Sequence, residues 1–219
     1  MYYYLPSCNF TKSWPEASAR IKAYLAGKED VTVCGCCRPM QGKLTGADTF
    51  LTICQSCSAI CREASPAAHE LSIWEYLLTD PDFPWPDYGG VSVTIQDCFR
   101  ARNKPEVQDA VRECMRRMHL AVVEIAENRE ACMFDGVWLM RPAVPRNLKI
   151  APEYFTDIAR HYIHEETEEA QVAAMKEWCS QYQTEYIAGY CNSCVNGICL
   201  GGAKGVHLME LMLGMTDLG

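Results

Sequence analysis

Residues 31–39 read Val31-Thr32-Val33-Cys34-Gly35-Cys36-Cys37-Arg38-Pro39. A β-branched run suits a strand, and here it delivers an adjacent cysteine pair into a turn marked by Gly35 and Pro39. Working outward, Thr49-Phe50-Leu51-Thr52-Ile53 delivers Cys54-Gln55-Ser56-Cys57, and Tyr2-Tyr3-Tyr4-Leu5 delivers Cys8. Three strand-like runs each end in thiols, which is the layout of a metal cluster. Between them Ser13 can cap a helix, Pro15 suits its first turn, Ala17 to Leu25 carry helical spacing and Gly27 ends it. Pro66 marks a further helix start, with Ala67 to Leu78 amphipathic.

The second half restarts the pattern. Val91 to Ile95 alternates as a strand and ends at Asp97-Cys98; Pro105 opens a helix through Met118; Leu120 to Ile125 is a strand leading to Ala131-Cys132. A long helical region spans about 153–182, with Glu165–Glu169 on a solvated face. Thr184 to Ala188 then leads into Cys191-Asn192-Ser193-Cys194. Gly201-Gly202-Ala203-Lys204-Gly205 reads as a helix cap before a last helix, Val206 to Leu213. Residues 79–90, with three prolines and a glycine pair, are the boundary, which predicts domains over 1–85 and 86–219. Strands alternating with helices predict an α/β protein of two pseudo-symmetric Rossmann-like halves. Each would be a small parallel sheet with cysteines at the carboxyl ends of its strands, where such sheets bind ligands. Each Cys-x-x-Cys precedes a helix whose N-terminal amides favour thiolate over thiol.

Bulk composition narrows the function. The chain has 219 residues, 49% hydrophobic and 22% charged, with a formal charge of −8. That acidity offers no footprint for wrapping nucleic acid. No run of eighteen apolar residues predicts a membrane span, and Met1 to Cys8 lacks the features of a signal peptide; the expectation is a cytoplasmic protein. In that compartment fourteen cysteines read as metal ligands or redox thiols, not disulfides, and so many thiols suggest an anaerobic cell. Cys114 and Cys179, inside helices, read as small core residues. Cys34, Cys61 and Cys199 read as neighbours of the sites, with Cys34 the substitute ligand.

The first-half set is Cys8, Cys36, Cys37, Cys54 and Cys57. Four thiolates suffice for zinc or an iron–sulfur cubane; five, including an adjacent pair, exceed both. This order of Cys, Cys-Cys, Cys-x-x-Cys resembles the cysteine-rich CCG domain found in the catalytic subunit of heterodisulfide reductase, and the tandem arrangement is similar over the whole chain. The resemblance implies a noncubane [4Fe-4S] cluster on those five cysteines, with Cys36 or Cys37 the bridging or labile ligand, and reductive cleavage of a small disulfide. It also implies an electron-donor protein, ferredoxin-like or a flavoprotein subunit. The sequence departs from the pattern at Arg38, where the family usually has glycine, and in the second half. There the pair is reduced to Ala131-Cys132, and Cys98, Cys132, Cys191 and Cys194 make only four thiols. A second [4Fe-4S] cluster, a zinc ion, a modified cluster and no metal all stay open for that half. Arg38, Arg100 and Arg102 follow the ligands closely. They either balance cluster charge or recognise an anionic thiol substrate. The competing functions are a non-catalytic electron-transfer subunit of a dehydrogenase complex and a zinc-stabilised interaction module.

Overall fold

A computed structural model of the chain describes every residue except Gln41; Pro39, Gly42 and Gly46 predict a loop over 39–47, and at Gln41 that expectation lies outside the described residues. The chain forms two compact units. The first comprises Met1–Tyr76 together with Arg141–Glu165, the second Leu77–Met140 together with Glu166–Gly219. Each is built on a four-stranded, wholly parallel sheet flanked by helices, so the α/β, Rossmann-like reading of both halves holds.

In the first unit the strands are β1 (Tyr2–Leu5), β2 (Val31–Val33), β3 (Thr49–Thr52) and β4 (His69–Ser72), in the order β2-β1-β3-β4. Tyr2 pairs with Val31 and with Thr49, and Thr49 with His69, so all four carboxyl ends lie along one edge. A parallel sheet covered on both faces needs apolar residues in succession, not in alternation. Tyr4, Leu5, Phe50 and Leu51 in the two central strands are accordingly all fully buried. The helices are α1 (Cys8–Ser13), α2 (Pro15–Ala26), α3 (Gln55–Ala64), the first four residues of α4 (Ile73–Thr79), α6 (Pro145–Ile150) and α7 (Pro152–His161). Glu63 on α3 accepts hydrogen bonds from the Glu153 and Tyr154 amides at the start of α7, which ties the late segment into this unit.

The second unit repeats the topology as β6-β5-β7-β8, with β5 (Ser92–Gln96), β6 (Ala121–Val123), β7 (Tyr186–Gly189) and β8 (Lys204–His207). Val93, Ile95, Ile187 and Ala188 fill its core. Its helices are α5 (Pro105–Arg117), α8 (Glu168–Cys179), α9 (Asn192–Leu200) and α10 (Leu208–Met212).

Four expectations need correction. Residues 67–78 are not one helix: β4 precedes α4. In the same way β8 occupies the end of the expected helix cap and the start of the expected last helix, so that only α10 is helical. Both are edge strands held by backbone pairing to β3 and β7, and tertiary pairing overrides a helical pattern. The switch from strand to helix is made by a capping box in each unit. Glu75 Oε2 accepts from Ser72 N at 2.9 Å while Ser72 Oγ accepts from Glu75 N at 3.2 Å. His207 Nδ1 accepts from Met209 N while Glu210 accepts from His207 N. The expected helix over 153–182 is broken between α7 and α8, and its two parts belong to different units. Finally Ser13 ends α1, a helix the periodicity did not suggest. Ser7 caps α1 by accepting from Phe10 N, and Trp14, not Ser13, precedes α2.

Candidate metal centres

In the second unit three chain segments converge at the carboxyl edge of the sheet. β5 runs into Asp97-Cys98, β7 runs into Tyr190-Cys191, and Cys191 is the N-cap of α9, with Cys194 in its first turn. The fourth arrival is Asp135. The donor atoms of Cys98, Asp135, Cys191 and Cys194 all lie within 4.8 Å of one another, and all four residues are buried. Asp135 Oδ1 sits 3.8 Å from the sulfurs of Cys98 and Cys191 and 3.9 Å from that of Cys194. A tetrahedral ion with metal–sulfur bonds of about 2.3 Å and a metal–oxygen bond of about 2.0 Å spans sulfur–oxygen edges of about 3.5 Å. The sulfur–oxygen edges therefore need to contract by only a few tenths of an ångström to close on one ion. The three thiols already share charge. Hydrogen bonds from Cys194 and Cys98 hold Cys191 well below the usual thiol range, against its burial. Burial pushes Cys98 and Cys194 well above it.

Two glycines admit Asp135 to this place. Gly136 has φ +55°, and a Cβ there would meet Ser193 O at 2.1 Å; a Cβ on Gly197 would meet Gly136 Cα at 2.5 Å. The loop thus lies directly on α9, and Ser193 Oγ donates to Asp135 O at 2.7 Å. Cys132, expected as the fourth ligand, is elsewhere. Its sulfur faces Phe134 O at 3.8 Å and Gln96 Nε2 at 3.7 Å, and it is not in the converging set. Counting thiols missed Asp135; the readable signal was an Asp-Gly turn just beyond Cys132.

Arg100 is part of this centre. Its Nε lies 2.7 Å from Asp135 Oδ2, and its Nη2 donates to Asp135 Oδ1 at 2.8 Å and to Cys191 Sγ at 3.4 Å. The guanidinium also lies over the Trp138 ring at 5.0 Å. Of the two roles considered for it, charge balance is the one its position serves. Arg102 instead covers the Phe99 ring at 4.2 Å and reaches Met133 Sδ at 3.5 Å. An outer layer fixes the backbone at Cys98. Asp97 accepts from both terminal nitrogens of Arg112, from Arg129 N and from Tyr190 Oη, and Asn128 Oδ1 accepts from Asp97 N. Arg112 is clamped on its other side by Glu124. Layers of this kind orient metal ligands and tune affinity.

In the first unit the corresponding edge gathers all five expected thiols. Cys8 opens α1, the Cys36-Cys37 pair follows β2, and Cys54 is the N-cap of α3, with Cys57 in its first turn. Cys8 Sγ lies 3.5 Å from Cys36 Sγ. Cys57 and Cys36 lie close enough to Cys37 to lower its thiol, and Cys37 and Cys54 close enough to Cys57 to raise that one. The thiols do not close around one point; among the described residues only the second-unit set brings every donor atom within 4.8 Å of the others. The Cys57 thiol draws Cys37 down to about 7, with Cys36 and Arg38 assisting. Exposure differs across the set, from buried Cys37 and Cys57 to exposed Cys8. Several polar atoms in these segments are buried without a hydrogen-bond partner among the described residues: Arg38 Nε, Tyr4 Oη, Thr52 Oγ1 and Gln55 Oε1. Cys34 turns away toward Thr32 O. Burial pushes Cys61, one turn beyond Cys57 on α3, up to about 12, and Cys37 adds to that. Cys114 is a fully buried core residue of α5, as its helical position suggested.

All fourteen cysteines are free. Among the described residues no helix is long and apolar enough to cross a membrane. No protein-family model matches the sequence, and no curated protein matches it.

Proposed function

We propose that the chain is a metalloprotein with two unequal centres, a redox cluster in the first unit and a single structural ion in the second. The supporting observation is the contrast in donor geometry and exposure. The second-unit set is closed, buried and compact, and three thiolates with one carboxylate suit a four-coordinate zinc ion with no open position. The first-unit set has more thiols than one tetrahedral ion takes and reaches the surface at Cys8 and Cys36. A site that acts on a substrate needs such access, and five thiols that do not close on one point suit several irons.

Cys8, Cys36, Cys37, Cys54 and Cys57 would hold a noncubane [4Fe-4S] cluster, in line with the resemblance to the catalytic subunit of heterodisulfide reductase. When bound, that cluster supplies electrons for reductive cleavage of a disulfide or a related sulfur substrate. The buried polar atoms without partners in these segments fit a group that accepts and donates hydrogen bonds there. Arg38 balances thiolate charge beside Cys8 and Cys37 and is the arginine of the three placed to meet an anionic substrate. No nicotinamide or flavin fingerprint is present in the sequence, so a donor protein would deliver the electrons.

Anaerobic purification with metal and sulfide analysis tests this directly. The expected content is about four irons with sulfide and about one zinc per chain. Cys36→Ser should alter the iron signal and spare the zinc, and Cys191→Ser should do the reverse. Zinc alone with no visible absorption would refute the redox centre. An iron-loaded protein that reduces no small disulfide with a low-potential dye would be an electron carrier instead.

A further inference from the structure

Tyr4 sits one residue from the carboxyl end of β1, the central strand of the first unit, and is fully buried. Its backbone carbonyl accepts from Cys34 N at 2.9 Å, which anchors the start of the cysteine turn. Its hydroxyl has no hydrogen-bond partner among the described residues. The fold does not treat its other inward-facing phenols this way. Tyr190 donates to Asp97 at 2.8 Å, Tyr182 to Gln96 at 2.6 Å and Tyr88 to Leu211 O at 2.8 Å. A buried phenol normally finds a partner, and an orphaned donor points to something that belongs beside it. The neighbouring titratable group is Cys57. A phenol is neutral at pH 7, so its O–H is a donor in the neighbourhood of Cys57, one of the two buried thiols of the first-unit set.

We infer that the Tyr4 hydroxyl is the hydrogen-bond donor to sulfur in the first-unit centre, either the metal-bound Cys57 thiolate or an inorganic sulfide beside it. The inference rests on the cluster reading above and assigns Tyr4 a positioning and potential-tuning role, not contact with substrate. A donor to cluster sulfur stabilises the more negative, reduced state and so raises the reduction potential. In the metal-free protein the same hydroxyl gains nothing, because among the described residues no acceptor lies within hydrogen-bond reach of it.

The test is Tyr4→Phe, which keeps the ring and removes one oxygen. Wild type and variant are reconstituted anaerobically with ferrous iron and sulfide, then titrated with dithionite and redox mediators. The expected result is equal iron content, an altered visible or EPR spectrum, and a reduction equilibrium shifted about tenfold toward the oxidised form, which for one electron is about 60 mV. Metal-free Tyr4→Phe should have a urea midpoint at or above that of wild type, since the lost hydroxyl had no partner. Equal potentials and spectra in the two iron-loaded proteins would overturn the inference while leaving the cluster intact. So would a metal-free variant clearly less stable than wild type, which would mean that the hydroxyl already has a partner, such as a buried water. Failure of wild type itself to take up iron would overturn the cluster reading, and the inference with it.

Discussion

Asp135→Asn separates the ligand set of the second unit from the one that cysteine spacing suggests. The substitution keeps side-chain shape and removes one negative charge. In the metal-free protein Asp135 is the ion-pair partner of Arg100, accepting one hydrogen bond from its Nη2 and lying 2.7 Å from its Nε, and the Arg100 side chain is 5% exposed. Removing one member of a buried pair costs about 3–5 kcal/mol, because the other charge is left unpaired. The Cys191 thiolate, 3.4 Å from Arg100 Nη2, remains as a partial partner, which places the cost near the lower end, about 3 kcal/mol. For a protein of this size that is a fall in melting temperature of roughly 6–12 °C. In the metal-bound protein an anionic ligand is lost outright, so zinc affinity should fall by more than the roughly 10–100-fold that follows loss of an outer-layer partner. The control is Cys132→Ser, whose hydroxyl can still meet Phe134 O and Gln96. It should bind zinc as wild type does. Competition with a chromophoric chelator measures both affinities, and calorimetry on the stripped proteins measures stability. If Asp135→Asn keeps wild-type affinity while Cys132→Ser loses zinc, the ligand assignment is wrong.

Three further outcomes are expected. Arg100→Lys replaces a fork that grips both Asp135 oxygens with a point charge, and zinc affinity should drop by roughly 10–100-fold with little change in the first-unit metal signal. Gly136→Ala forces a Cβ onto Ser193 O at φ +55°; zinc content per folded chain should fall, because Asp135 is carried by that loop. His207 is fully buried, and desolvation lowers it from 6.5 to about 3. The unfolded chain therefore binds this proton first, so the contribution to stability is complete above about pH 6.5 and is lost as pH falls toward 3. Between pH 7 and pH 4 the metal-free protein should lose about 3 kcal/mol from this group. His207→Asn, which keeps a capping side chain, should show a flatter pH dependence in urea titrations; an unchanged slope would remove His207 from the account.

The gathering of the five first-unit cysteines was legible because three strands deliver them. Tyr2–Leu5, Val31–Val33 and Thr49–Thr52 are short apolar runs, a parallel sheet brings their ends to one edge, and a thiol just beyond such an end has nowhere else to go. The same logic found Cys98, Cys191 and Cys194. It failed for Cys132, which follows a 3-10 turn at Arg129–Ala131 and does not follow a strand directly, so its direction is set by that turn and not by the sheet. It failed also for β4 and β8, although Ser72-x-x-Glu75 and His207-x-x-Glu210 marked where the helices begin. An edge strand of four residues carries too little periodicity of its own to compete with the helical pattern that follows it.

Sequence alone determined the fold class, the tandem organisation and the edge at which the chemistry would gather, because apolar runs and strand-end cysteines are local properties of the chain. Only the tertiary structure decided which groups complete each centre. Asp135 enters because Gly136 and Gly197 let two backbones touch, and Arg100 turns inward because a buried carboxylate needs a cation. Residues 141–165 join the first unit because Glu63 caps a helix ninety positions further along the chain. Each of these depends on a close approach between segments distant in sequence, and such approaches are fixed by packing and charge compensation, to which hydrophobic periodicity and motif spacing are blind.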